Sequence, residues 1–314
     1  SPSYDPNLLA THAAEAQGEA WQQLRDDPAS PLTNRAIAER YPPGSTFKVI
    51  TTAAALQAGM PEDAPLTAAG SITLPDSTAT LENYGGEPCG GAPTAPLREA
   101  FERSCNTAFV ELGIRIGADA LRGTADAFGF DSPPTSIPMQ VAESTVGPMS
   151  DAAAVGMSSM GQKDVAVTPL QNAMIAAAVA NSGVMMSPYL VDRLEGPGLS
   201  NISATAPREL RRAVSPQVAA KLSDLMVGAE KFTRQQGAIP GVQIASKTGT
   251  AEHGTNPRVT PPHAWYIAFA PAQNPRVAVA VLVENGGDRL SATGGELAAP
   301  IGRATIAAAL QGEQ

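Results

Sequence analysis

The chain has 314 residues, 43% of them hydrophobic, which is enough for one large domain or two small ones around a real core. Its net charge of −9 and pI near 4.9 come with scattered lysines and arginines and no basic block, so a nucleic-acid partner is excluded as an expectation. No stretch approaches the ~18 apolar residues needed to span a bilayer, and no signal peptide opens at Ser1, so the sequence reads as a piece of a longer protein with its targeting information upstream.

Residues 1–44 are polar and punctuated by proline, with a helix expected around Glu15 to Leu24 that ends at the DDPASP turn; they read as a wrap. A long apolar helix is predicted from near Ser45 (STFKVITTAAALQAG) to Gly59, with Pro61 preventing its continuation. The stretch 61–96 is mostly loop with a short hairpin near Ser71 to Leu81, followed by helices at about 96–103 and 105–117. A second apolar helix is expected from Thr168 to Ser182, closed by Gly183, and an amphipathic one from Pro216 to Gly228.

After Val242 the period changes. GVQIASKTGTAE, HAWYIAFAP and RVAVAVLVEN are three strand-like runs, the last two joined by the PAQNP turn, and a final helix is predicted over 295–310. The expected fold is α/β of the α+β kind: an antiparallel sheet of strands within 242–284 flanked by helices, with an all-helical subdomain at roughly 50–240 inserted before it, all within one domain over 1–314. The run bearing Lys247 is expected at an edge, with helix 295–310 on one face. VAVAVLV is apolar at every position and reads as a strand that wants neighbours on both sides.

Three short constellations carry chemistry. Ser45 and Lys48 lie three apart, one helical turn, and Ser45 follows Pro-Pro-Gly at a helix start, where free N–H groups favour an anion. Lysine is scarce, at positions 48, 163, 221, 231 and 247, and Lys48 sits among Val, Ile, Thr, Ala and Leu, so burial makes its neutral amine available as a base for the serine. The plainer alternative is an N-cap serine beside a lysine that snorkels to water.

Ser104 and Asn106, at a junction of two helices, offer a hydroxyl to pass a proton and an amide to hold a peptide carbonyl, or simply a helix cap. Lys247-Thr248-Gly249-Thr250 lies in a strand-like run. There the missing side chain at Gly249 admits another backbone, and an extended peptide and its carboxylate are possible guests; a turn-proximal surface lysine is the alternative. Cys89 and Cys105 suit either a disulfide in an exported protein or two unrelated buried thiols, and the disulfide is expected.

In this order, serine-lysine at three, Ser-x-Asn and Lys-Thr-Gly are the motif set of penicillin-binding proteins and class A β-lactamases. With SPSYDPN, PLTNRAIAERYPPGSTFK, SCNTAF, MGQKDVAVTPLQNAMIAAAVANSGVMMSPYLV and SKTGTAE, nearly the whole chain resembles the class B penicillin-binding proteins. The resemblance implies the β-lactamase/transpeptidase-like fold and a D,D-transpeptidase that joins peptidoglycan stem peptides ending in D-Ala-D-Ala and is inactivated by β-lactam antibiotics. It implies Ser45 as nucleophile, Lys48 as base, Ser104 and Asn106 as the opposite wall, and Lys247, Thr248 and Thr250 as the carboxylate site. The backbone N–H groups of Ser45 and Thr250 would form the oxyanion hole.

The resemblance further implies two strands, a non-catalytic domain and a membrane anchor ahead of the SPSYDPN-like segment. The chain would then work on the extracytoplasmic face of the bacterial cell membrane, beside a membrane glycan polymerase and division or elongation proteins. No cofactor is implied, and with His12, His253, His263 and two cysteines no metal site is expected. A β-lactamase is disfavoured because no Glu-x-x-Leu-Asn pattern lies between Asn106 and Lys247, and a Ser-His-Asp hydrolase because no Gly-x-Ser-x-Gly elbow occurs. A β-lactam sensor domain or an inactive cell-wall scaffold is the alternative from another class.

Overall fold

The polar start of the chain forms helix α1 (Ala14–Asp26), which buries no residue, and the short helix α2 (Arg35–Ala38), which buries Ile37. These belong to a computed structural model that describes residues 3–133, 137–233, 235–256 and 259–312, so the first two residues of the SPSYDPN segment lie outside it. A tight 3-10 turn, Gly44–Phe47, then runs into helix α3 (Lys48–Gln57), whose residues are buried from Lys48 through Leu56. The helix stops where Gly59 takes a positive φ of 82°.

The loop-rich stretch after α3 is tied by β1 (Pro65–Thr67), and the expected hairpin is present as β2 (Ser71–Thr73) and β3 (Thr80–Glu82) with Ile72 opposite Leu81. Strand β4 (Thr94–Pro96) returns to pair with β1 and leads directly into α4 (Leu97–Glu102) and α5 (Asn106–Ile116). Helices α6 (Ala118–Ala127), α7 (Ala152–Ser159) and α8 (Pro169–Ala180) follow, α8 starting where Thr168 Oγ1 accepts from the Gln171 N–H at 3.1 Å.

Strands β5 (Val184–Met186), β6 (Arg193–Glu195), β7 (Asn201–Ala204) and β8 (Glu209–Arg212) form two ladders, β5 with β8 and β6 with β7, before α9 (Pro216–Glu230). Among the described residues, the region expected to be all-helical therefore also carries four two-stranded antiparallel ladders, and α9 continues past Gly228 to Glu230.

The change of period after Val242 becomes one antiparallel sheet of β9 (Ala245–Ala251), β10 (His263–Ala270) and β11 (Val277–Val283), in the order β11-β10-β9. Every residue of β10 is buried, because one of its faces meets the helical region and the other meets α10 (Ala299–Gln311). Side chains alternate accordingly: Trp265, Ile267 and Phe269 join the large core, while Tyr266, Ala268 and Ala270 pack with Ala299 and Ile306. Strands β9 and β11 each have one open edge among the described residues.

Cys89 and Cys105 form a disulfide with a Cα–Cα separation of 5.7 Å. It ties the loop before β4 to the residue between α4 and α5. Closing a loop of this size stabilises a fold by about 3 kcal/mol on the chain-entropy model, so Cys89→Ala with Cys105→Ala is expected to lower the unfolding free energy by about that amount. Denaturant unfolding of the double variant measures it, and a loss below about 1 kcal/mol would show that the bridge constrains the unfolded chain little.

Candidate active site

Ser45 stands in the 3-10 turn and Lys48 is the first residue of α3, and in a 3-10 turn side chains at i and i+3 eclipse, so the two lie one above the other. The turn is clamped from three sides. Trp265 Nε1 donates to Pro42 O at 3.0 Å, the Gly44 N–H donates to Gly161 O at 2.9 Å, and Asn172 Nδ2 of α8 donates to Thr46 Oγ1 at 3.2 Å.

Glycine is required at two of these contacts. Gly44 has φ +53°, and a Cβ there would lie 2.8 Å from Thr250 O. A Cβ on Gly249 would lie 2.8 Å from Pro43 O, so the gap expected to admit a guest's backbone is taken by the serine-bearing turn itself.

Lys48 is fully buried and pairs with no carboxylate among the described residues. Its Nζ donates to Ser104 O at 2.9 Å and to Asn106 Oδ1 at 2.8 Å, with Ser104 Oγ at 3.4 Å. Two strong acceptors satisfy the two N–H bonds of a neutral amine and leave its lone pair free. Burial, aided by the charge of Lys247, lowers the Lys48 pKa well below the ordinary lysine value, which favours that neutral form. Ser45 is half-buried, and its Oγ hydrogen-bonds to none of the described residues.

The opposite wall comes from the α4–α5 junction. Ser104 holds a positive φ of 63°, a conformation that costs a non-glycine residue about 1–2 kcal/mol and is concentrated at functional sites. The Ser104 and Cys105 N–H groups close the end of α4 on Phe101 O and Ala100 O. Lys247 Nζ donates to Ser104 Oγ at 2.9 Å and to Thr248 O at 3.2 Å, so Ser104 Oγ stands between two lysines. Burial brings the Lys247 pKa down to about 7. Phe109 lies 5.1 Å beneath Lys48 Nζ and Phe101 5.7 Å beneath Lys247 Nζ, contacts that offset part of the cost of a buried cation.

The structure thus brings Lys48, Ser104, Asn106 and Lys247 together, with Ser45 in the turn that leads into Lys48, but divides the expected carboxylate site. Lys247 is opposite Ile267 and Gly249 opposite Trp265, on the helical side of the sheet, whereas Thr248 is opposite Tyr266 and faces the other way, as Thr250 does. Lys247 is buried and committed to Ser104, so it is not an open ammonium for a ligand carboxylate. Thr248 and Thr250 are half-buried on β9, which has one open edge among the described residues.

Sequence reasoning missed Asn83, whose buried side chain holds the start of α5, and the buried Glu230 and Arg303, which brace β9 from behind. A lone polar residue in a loop or helix carries no local pattern. Among the described residues no cluster of His, Cys, Asp and Glu is arranged to hold a metal ion, and no helix is long and apolar enough to cross a membrane.

Residues 1–307 match the family described as the penicillin binding protein transpeptidase domain. The chain is 75% identical over 313 residues to the peptidoglycan D,D-transpeptidase PbpA of Mycobacterium tuberculosis, covering all of this chain and 64% of that protein. Two solved structures of penicillin-binding protein A from M. tuberculosis are similar at 74% identity, each covering 99% of this chain and 70% of theirs. The ceftriaxone acyl-enzyme complex superposes with a TM-score of 0.97 and the penicillin G acyl-enzyme complex with 0.93.

Proposed function

The chain belongs to the penicillin-binding protein transpeptidase family, and from that premise we propose that it is a peptidoglycan D,D-transpeptidase acting through an acyl-enzyme on Ser45. The observation that carries this reading is the environment of Lys48: a buried lysine without a carboxylate partner, one tight turn from a serine, with its two N–H bonds satisfied. The chain spans 64% of the length of the PbpA it matches, so the activity is assigned here to this domain's own residues.

In the proposed reaction Ser45 Oγ attacks the carbonyl of the penultimate D-Ala in a stem peptide ending in D-Ala-D-Ala, and the neutral Lys48 takes its proton. The carbon–nitrogen bond to the terminal D-Ala breaks, and that amine leaves with the proton that Lys48 took, relayed through the Ser104 hydroxyl, which lies between both lysines. The backbone N–H groups of Ser45 and Thr250 stabilise the oxyanion. Thr248 and Thr250 bind the terminal carboxylate at the edge of β9, with the buried charge of Lys247 acting through Ser104 and the local field. The amine of a second stem peptide then attacks the ester and restores Ser45.

β-Lactam antibiotics occupy the same site as donor mimics whose departing nitrogen stays attached. Among the described residues Lys48 and Ser104 have no carboxylate in their hydrogen bonds, which supports a long-lived acyl-enzyme over a β-lactamase. A membrane glycan polymerase and division or elongation proteins are the proposed partners, at the outer face of the bacterial membrane. Transfer of the acyl group from a D-Ala-D-Ala-ended peptide to an added D-amino acid is the expected result by mass spectrometry. Acylation by penicillin with no such product would turn the reading to a β-lactam sensor.

A further inference from the structure

Helix α5 begins without a cap of its own. Its flanking residue is Cys105, whose sulfur is committed to Cys89, and no side chain at that position accepts from the first turn. The missing acceptor arrives from a loop twenty-four residues away: Asn83 Oδ1 accepts from the Thr107 N–H at 3.1 Å, while Thr107 Oγ1 gives its one proton to Ala69 O at 2.9 Å. Asn83 Nδ2 donates to Ala69 O at 2.9 Å and to Glu87 O at 3.3 Å, so both donors of this buried amide and one lone pair of its oxygen are used.

The neighbouring residue grips the catalytic wall itself. Asn106 Nδ2 donates to Glu82 O at 3.2 Å, while its Oδ1 accepts from Lys48 Nζ at 2.8 Å. The amide orientation is therefore chemically determined, since the reverse would set oxygen against oxygen at Glu82. Residues 82 and 83 thus hold residues 106 and 107 as a pair, and the far end of this pairing is the base.

From this we infer that Asn83 is a positioning residue for the acylation reaction: by capping α5 from outside, it fixes Asn106 against Lys48. The inference rests on the reading that Ser45 is acylated. Without the cap, the 82–87 loop loses its anchor, Glu82 O leaves Asn106 Nδ2, and the Asn106 amide is free to turn away from Lys48.

The test compares Asn83→Ala with Asn83→Asp for the rate of acylation by penicillin, referred to the molecules that are eventually acylated and measured across pH. Asn83→Ala is expected to be slower by about 10- to 100-fold, the range of a misplaced catalytic group. Asn83→Asp keeps one acceptor but sets its second oxygen against the Ala69 and Glu87 carbonyls, so it is expected to be slowed as well, by about tenfold or more. Removing the Oδ1 acceptor from Lys48 disfavours its ammonium, so the ascending limb of the pH profile should move to lower pH in Asn83→Ala.

Should Asn83→Ala fail to fold, the milder Asn83→Ser carries the same expectation. An Asn83→Ala rate or an Asn83→Asp rate equal to that of the unaltered protein, or an unmoved pH limb, would each overturn the positioning role. An unaltered protein that takes up no penicillin would instead remove the reading on which it rests.

Discussion

Lys48→Ala is expected to slow the acylation of Ser45 by a factor of about 100 or more, the usual contribution of a general base. The other lysine of the site cannot substitute, because Lys247 Nζ is bonded to Ser104 Oγ and Thr248 O. The pH dependence adds a second signature. With Lys48 held well below the ordinary lysine value, first by burial and then by Lys247, acylation should rise with pH as the ammonium gives up its proton, and this ascending limb should be absent in Lys48→Ala. Lys48→Arg should be as slow as the alanine variant, since a guanidinium does not deprotonate in this range. Rates of β-lactam consumption from pH 5 to 9 measure all three. An unchanged rate in Lys48→Ala would return this residue to a structural role.

Arg303→Ala is expected to cost about 3–5 kcal/mol of stability, the range for a buried charge left without its partner. Arg303 is fully buried in α10. Its Nε donates to Glu230 Oε1 at 2.8 Å, with Nη2 2.7 Å from the same oxygen, and its Nη1 donates to Gln236 O at 2.7 Å. Glu230 Oε2 in turn accepts from Ser246 Oγ and from Tyr266 Oη, the latter at 3.0 Å. One ion pair therefore ties α9, β9, β10 and α10 together, immediately beside Lys247. Replacing both charges, as Glu230→Leu with Arg303→Leu, should cost less than the sum of the single changes, because neither leaves the other charge buried alone. Urea unfolding of the three variants decides it, and a loss under about 1 kcal/mol in Arg303→Ala would mean that water reaches Glu230.

What the sequence made legible follows from how local each signal is. The helix from Lys48 and the helix after Thr168 announce themselves by apolar runs with a stop or a cap, and the sheet by the change to period two after Val242. Helix α7 (AAAVGMSS) escaped because it is apolar on all sides and has no period; its one local sign is Asp151, whose Oδ1 accepts from the Ala154 N–H at 2.7 Å. Helix α6 contains few strongly apolar residues and buries only Leu121, Thr124 and Ala125. Strands β5 and β8 are three and four residues long and join segments far apart, so pairing decides them and composition does not.

The site divides in the same way. Ser45, Lys48, Ser104, Asn106 and Lys247 were readable as spaced motifs, and hydrogen bonds join Lys48, Ser104, Asn106 and Lys247, with Ser45 in the turn before Lys48. That Thr248 points away from Lys247 was available from strand alternation alone. The occupation of the Gly249 gap by Pro43 was not, because it depends on which distant turn docks there. Asn83, Glu230 and Arg303 act through partners 24, 16 and 73 residues away, and no local pattern marks such a residue.

The most direct measurement is the intact mass of the protein after exposure to penicillin G, with the adduct located by peptide mapping. One molecule of penicillin should be added, on the peptide containing Ser45, and Ser45→Ala should carry none. An adduct that survives in Ser45→Ala, or a folded unaltered protein that gains no mass, would contradict acyl transfer through this serine.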